Sequence, residues 1–110
     1  MSIEETDVID FIGVNEKENE VVLTISDHLG WGSDASSHLL LLQEKINTYS
    51  SFIGSGELLD SYPDANGRKV VISIVAQHSL NEEAQNFIVK VKHILSDAGM
   101  SLRFEEFSDA

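Results

Sequence analysis

The sequence predicts an α+β fold: a two-layer sandwich in the order ββαβαβ, a four-stranded sheet with two helices on one face. Three observations predict it. In residues 69–76, Val70, Ile72 and Ile74 alternate with Val71, Ser73 and Val75, the period of a strand. Leu39, Leu42, Ile46, Tyr49 and Ile53 recur at steps of three and four, the period of one helix face. Strand-like runs flank each helical run, and right-handed crossovers between strands that advance in one direction place both helices on the same side.

The first strand is expected over residues 8–14, rich in β-branched and aromatic side chains, and the second over residues 21–26. The polar stretch 15–19 between them predicts an antiparallel hairpin. A loop follows over residues 27–34, and then the longest helix, with Asp34 or Ser33 as its N-cap and Gly54 or Gly56 as its stop. Leu40 and Leu41 widen its apolar stripe beyond what one sheet covers, which predicts a neighbouring helix or another subunit.

Residues 57–66 are expected to be loop, because Tyr62-Pro63-Asp64 and Asn66-Gly67 are turn signals. The Asn66-Gly67 pair leaves open a short edge strand before it. After the strand at 69–76, Ser79-Leu80-Asn81-Glu82 has the form of a capping box. The helix it opens carries the stripe Ala84, Phe87, Ile88, Val91, Leu95 and Ala98, and Gly99 ends it. Residues 100–107 alternate as a final strand.

At 110 residues the chain is expected to be one domain over 1–110, with an ordered core near 8–107. Its radius of gyration should be about 13 Å. Seven basic against nineteen acidic residues leave a net charge of -12, which repels phosphate backbones and anionic lipid. Nucleic acid and membranes are therefore excluded as expected partners. There is no cysteine, so disulfides, thiolate metal sites and cysteine nucleophiles are excluded together. The first residues show no signal-peptide pattern, and the expected location is the cytoplasm.

If the second and third strands run parallel, the loops after them leave one edge of the sheet. That edge would gather Asp27, His28, Trp31, Asp34 and His38 from one loop and helix start, with Gln77, His78 and Ser79 from the other loop. Ligands in open sheets are held at such an edge, where helix N-termini offer free amides. The functional reading is a histidine and aspartate site, for metal or for proton transfer. Against it, no His-x-x-x-His pair, His-Glu-x-x-His run or Gly-x-Ser-x-Gly turn occurs. The plainer reading makes His28 and His38 local hydrogen-bonding residues, Asp34 a cap and Trp31 a lid on the open end of the core, with Gly30 and Gly32 allowing tight turns around its ring. Neither a metal nor another cofactor is expected, and no residue is assigned as catalytic. Lys45 and Arg68 are the only basic side chains expected near that edge.

The chain resembles a family of small acidic bacterial proteins known as a domain of unknown function. The resemblance rests on Asp7-Val8-Ile9-Asp10-Phe11, on Thr24-Ile25-Ser26-Asp27-His28-Leu29 with Trp31, and on the helix His38-Leu39-Leu40-Leu41-Leu42-Gln43-Glu44-Lys45-Ile46-Asn47. Gly56-Glu57-Leu58 and Tyr62-Pro63 extend it. It implies a bacterial source and an α+β domain, and it transfers no activity.

The function expected is that of a small acidic non-catalytic protein-interaction module, homodimeric through the open sheet face or the wide stripe of the first helix, and binding another protein through the Trp31 loop edge or the helical face. The alternative is a small-ligand or metal-binding protein, or an enzyme, with its site between the 27–38 and 77–79 loops.

Overall fold

The computed structural model describes residues 3–32 and 34–107. The chain runs through β1 (Phe11–Asn15), β2 (Glu20–Asp27), α1 (Ala35–Gly54), α2 (Glu57–Ser61), a 3-10 turn (Pro63–Ala65), β3 (Lys69–Ala76), α3 (Glu82–Asp97) and β4 (Met100–Glu106). The fold is α+β, with a four-stranded mixed sheet and three helices. Spatial order follows chain order: β1 is antiparallel to β2, while β2, β3 and β4 are parallel. Each parallel step needs a crossover, and α1 and α3 lie in those two connections.

The pleat sorts the side chains. Register aligns Ile12, Leu23, Ile72 and Leu102 in one row, so these share a face with Val21, Ile25 and Ile74. Leu42, Ile46 and Tyr49 of α1 and Ile88 and Leu95 of α3 belong to the same buried cluster as Leu23, Ile72 and Leu102. On the other face Phe11, Thr24, Ser73 and Arg103 form a row, next to Gly13, Val22, Val71 and Ser101. This face partly covers itself. Arg103 donates to the Glu20 carboxylate, a pair that crosses β3 where Val71 lies, and both Glu20 and Val71 are buried in a single chain.

Several elements differ from expectation. The first strand begins at Phe11 rather than at residue 8, because α1 captures the segment before it. Lys45 Nζ donates to the carbonyls of Glu5 at 2.6 Å and Val8 at 2.7 Å and to Asp10 Oδ1 at 3.1 Å. The Thr48 hydroxyl donates to the Thr6 carbonyl at 2.5 Å. Tyr49 accepts from the Asp10 amide at 3.0 Å and donates to the Thr24 carbonyl at 2.5 Å. Residues 3–10 thus lie across α1 as an irregular strap, with Ile3 fully buried.

Residues 57–66 are not loop, and no edge strand forms there; they hold α2 and the 3-10 turn. The order ββαβαβ therefore lacks one short helix. Gly56 turns the chain off α1 at φ 90°, a left-handed conformation that glycine adopts without strain. One helical turn then buries Leu58, and Pro63 starts the 3-10 turn that buries Ala65. A five-residue helix is too short to show a period.

The capping box at Ser79 does not form either. Asn81 is the N-cap of α3, its Oδ1 accepting the Ala84 amide at 2.8 Å, while the Ser79 hydroxyl turns away and donates to Glu106. Ala98, expected on the stripe, is the exposed C-cap, and Gly99 at φ 82° follows it as expected. The radius of gyration is 13.8 Å, close to expectation. Among the described residues no helix is long and apolar enough to cross a membrane.

Candidate functional site at the carboxyl edge of the sheet

The parallel pairing of β2 with β3 ends both strands at one edge, with Asp27 beside Ala76. The Gln77 amide donates to the Asp27 carbonyl at 3.0 Å, which ties the two departing loops together. The edge expected from sequence therefore exists, and three of the eight residues expected there meet in side-chain contact.

Those three are Asp27, His38 and Trp31. Asp27 ends β2 on the helix-facing side of the pleat, and His38 lies in the first turns of α1, one turn before Leu42 on the buried stripe. His38 Nε2 lies 2.6 and 2.8 Å from the two Asp27 carboxylate oxygens, and Nδ1 lies 3.0 Å from the Gly30 carbonyl. Both ring nitrogens therefore face protein acceptors, a carboxylate on one side and a backbone carbonyl on the other. Both side chains are almost fully buried. The Trp31 ring stacks on the imidazole with centroids 3.6 Å apart and planes 20° apart. Asp27 Oδ1 also accepts the Leu29 amide at 3.1 Å. Asp34 stands at the N-cap of α1 but makes no side-chain cap bond, and the first turn of α1 holds no acidic residue. Asp27 brings the negative charge near this helix start from the neighbouring strand instead. The alternative cap, Ser33, lies outside the described residues.

The remaining candidates stand apart. His28 is exposed, with its Nε2 3.5 Å from Glu4 Oε1, and His78 is exposed beside Gly30. Gly30 and Gly32 do not take the left-handed conformation, so neither is required for a turn around Trp31. Among the described residues no three His, Asp or Glu side chains converge in a way that could hold a metal ion. A pocket of about 190 Å³ opens next to His38, lined by Glu4, Leu29, Gly30, Asp34, Ser37 and Leu41. The arrangement holds the His38 ring in one orientation, with both nitrogens facing protein acceptors.

Lys45, expected as a basic group near this edge, is instead buried under the strap with Asp10 and Tyr49. That cluster is the feature the sequence reading missed. The signal was present: Lys45 follows Leu42 by three and precedes Tyr49 by four, which sets a charge within the apolar stripe. Burial also pushes the Tyr49 phenol up to about 12, with the nearby Asp10 charge adding to the rise.

A family model, described as a family of unknown function (DUF6572), matches residues 1–108, nearly the whole chain. The chain belongs to that family. No curated protein and no solved structure matches it. Membership in DUF6572 thus agrees with the resemblance in the motifs around Asp27, Trp31 and His38 and brings no activity with it.

Proposed function

We propose that this DUF6572 chain is a small acidic non-catalytic protein-interaction module that works as a homodimer in the bacterial cytoplasm. In this reading the chain is one folded unit with both long helices on one sheet face, as their shared apolar groove supports. The observation that carries it is His38. Both of its nitrogens are spent on protein acceptors and its ring is covered by Trp31, so the residue with the strongest catalytic look acts as a latch between β2, the loop and α1. A base or ligand must offer a free nitrogen, and both ring nitrogens of His38 already face protein acceptors. With a net charge of -12, the outside partner this surface favours is a basic protein.

The second reading, a ligand or metal site at the same edge, has the pocket beside His38 in its favour. At about 190 Å³ that pocket is smaller than the roughly 300–1,000 Å³ of ordinary ligand sites. Native mass spectrometry of untagged protein purified without chelators separates the two. The expected spectrum is an empty dimer. A stoichiometric metal or small molecule, lost in His38→Ala, would overturn the non-catalytic reading.

A further inference from the structure

An apolar groove of about 340 Å³ opens between α1 and α3, lined by residues that include Gln43, Ile46, Phe87, Val91, Ile94 and Met100. Ile94 on its rim is 66% exposed, and Leu40, one turn before Gln43 on α1, is 55% exposed. Large apolar side chains this bare, beside an apolar recess, mark a contact surface rather than a solvated one.

Charge is the second sign. Of the 20 residues of α1 only His38, Glu44 and Lys45 are acidic or basic, and His38 and Lys45 are buried. The chain as a whole is 24% charged. Ser36, Ser37, Leu40, Gln43, Asn47 and Ser51 make most of the exposed side of α1, all uncharged. Depletion of charged residues is what marks the core of a contact surface.

We propose that this face receives a second copy of the chain across a two-fold axis, with Leu40 and Ile94 of each copy meeting the groove of the other. The inference rests on the homodimer reading above and gives it a surface. Charge selects the occupant. A chain carrying -12 repels its own copy wherever carboxylates crowd, but on these two helices α1 exposes only Glu44 and α3 offsets Glu82, Glu83 and Asp97 with Lys90 and Lys92. A basic partner would need the opposite, a rim dense in carboxylates. The size also suits a dimer: α1 is about 30 Å long, and two adjacent helices span about 20 Å, a footprint of roughly 600 Å² against about 800 Å² per partner in a standard interface. The rival surface, the open sheet face, already buries Val71 beneath the Glu20 and Arg103 pair.

Sedimentation velocity on the full chain tests this with Leu40→Glu, with the pair Gln43→Lys and Asn47→Lys, and with Phe11→Glu on the sheet face. Gln43 and Asn47 are exposed polar positions, so lysine there leaves the fold intact if Leu40→Glu does not. The wild type is expected as a dimer, with Kd raised at least about 30-fold by either helix-face change and unmoved by Phe11→Glu. A dimer that survives the lysine pair overturns this surface and leaves the homodimer reading standing. A wild type that is monomeric at several hundred micromolar overturns the second copy as occupant, whether or not it binds a lysine-rich amphipathic peptide at Leu40. The non-catalytic reading is decided separately, by bound mass.

Discussion

α1 and α3 are the two long helices of one molecule, and they are fastened by different means. α3 buries Ala84, Ile88 and Leu95, all apolar, and is capped by Asn81. α1 buries His38, Lys45 and Tyr49 alongside Leu42 and Ile46, and has no side-chain cap. The difference follows from what each helix covers. Sheet backbone is already paired, so α3 needs only shape and apolar area. α1 also covers the strap at 3–10 and the loop at 28–32, whose carbonyls and amides have no strand to pair with. Lys45 answers two strap carbonyls and one carboxylate, Thr48 and Tyr49 answer others, and His38 answers Gly30 and Asp27. Buried ionisable groups on a helix here mark irregular backbone beneath it, a role that resembles a catalytic cluster only in composition.

The largest effect should come from Lys45. Lys45→Ala leaves the Asp10 carboxylate buried and unpaired and frees the strap, at a cost of about 3–5 kcal/mol in urea unfolding. Amide exchange should rise first over residues 5–10. Replacing both partners, Lys45→Met with Asp10→Leu, should recover most of the loss, because the desolvated charge is then gone. A loss below 1 kcal/mol for Lys45→Ala would break the comparison by making the strap dispensable.

His38 comes second. His38→Ala should cost about 2–4 kcal/mol, somewhat less than Lys45 because Asp27 keeps the Leu29 amide. Trp31 loses its stacked neighbour, so its fluorescence should shift to the red. An undiminished melting temperature would mean the latch carries no stability, and the site reading would regain weight.

Much of this architecture was legible because it depends on period. The strand Lys69–Ala76 and the stripes of α1 and α3 repeat long enough to be read, while parallel pairing of β2 with β3 entered only as a condition that the register then met. The edge at Asp27 and His38 was legible once those strands were taken as parallel, since both loops then leave the same side. What the edge does was not, because a ligand and a latch use the same residues and only the positions of Gly30 and Trp31 tell them apart. α2 was hidden by its length, and the strap by the β-branched Val8 and Ile9, whose propensity says strand while Lys45, far away in sequence, claims their backbone.

Alkali probes the polar side of α1 a third way. Burial holds the Tyr49 phenol at about 12, above its ordinary 10.0. The unfolded chain therefore releases this proton first as pH rises. The contribution is whole below pH 10 and is lost as pH climbs from 10 towards 12, by about 2–3 kcal/mol across that window. Tyr49→Phe should be less stable at neutral pH and fall less steeply above pH 10. Parallel pH profiles for the two proteins would show that Tyr49 is hydrated in the folded state and that α1 is looser than described.

The smallest effect belongs to α3 and tests its half of the comparison. If α3 is held by apolar area and one cap, then Asn81→Ala should cost about 1 kcal/mol, the loss of the bond to the Ala84 amide and nothing more. Ser79→Ala should cost less, since Ser79 reaches across to Glu106 at an exposed position rather than capping the helix. The order of the two is the informative result. Were Ser79→Ala the worse substitution, the capping box read from Ser79 and Glu82 would be the true helix start, and α3 would begin earlier than Glu82. Were both changes neutral, its start would be held by Ala84 and Ile88 alone, and the contrast with α1 would be sharper still: one helix fastened wholly by shape, the other by buried charge.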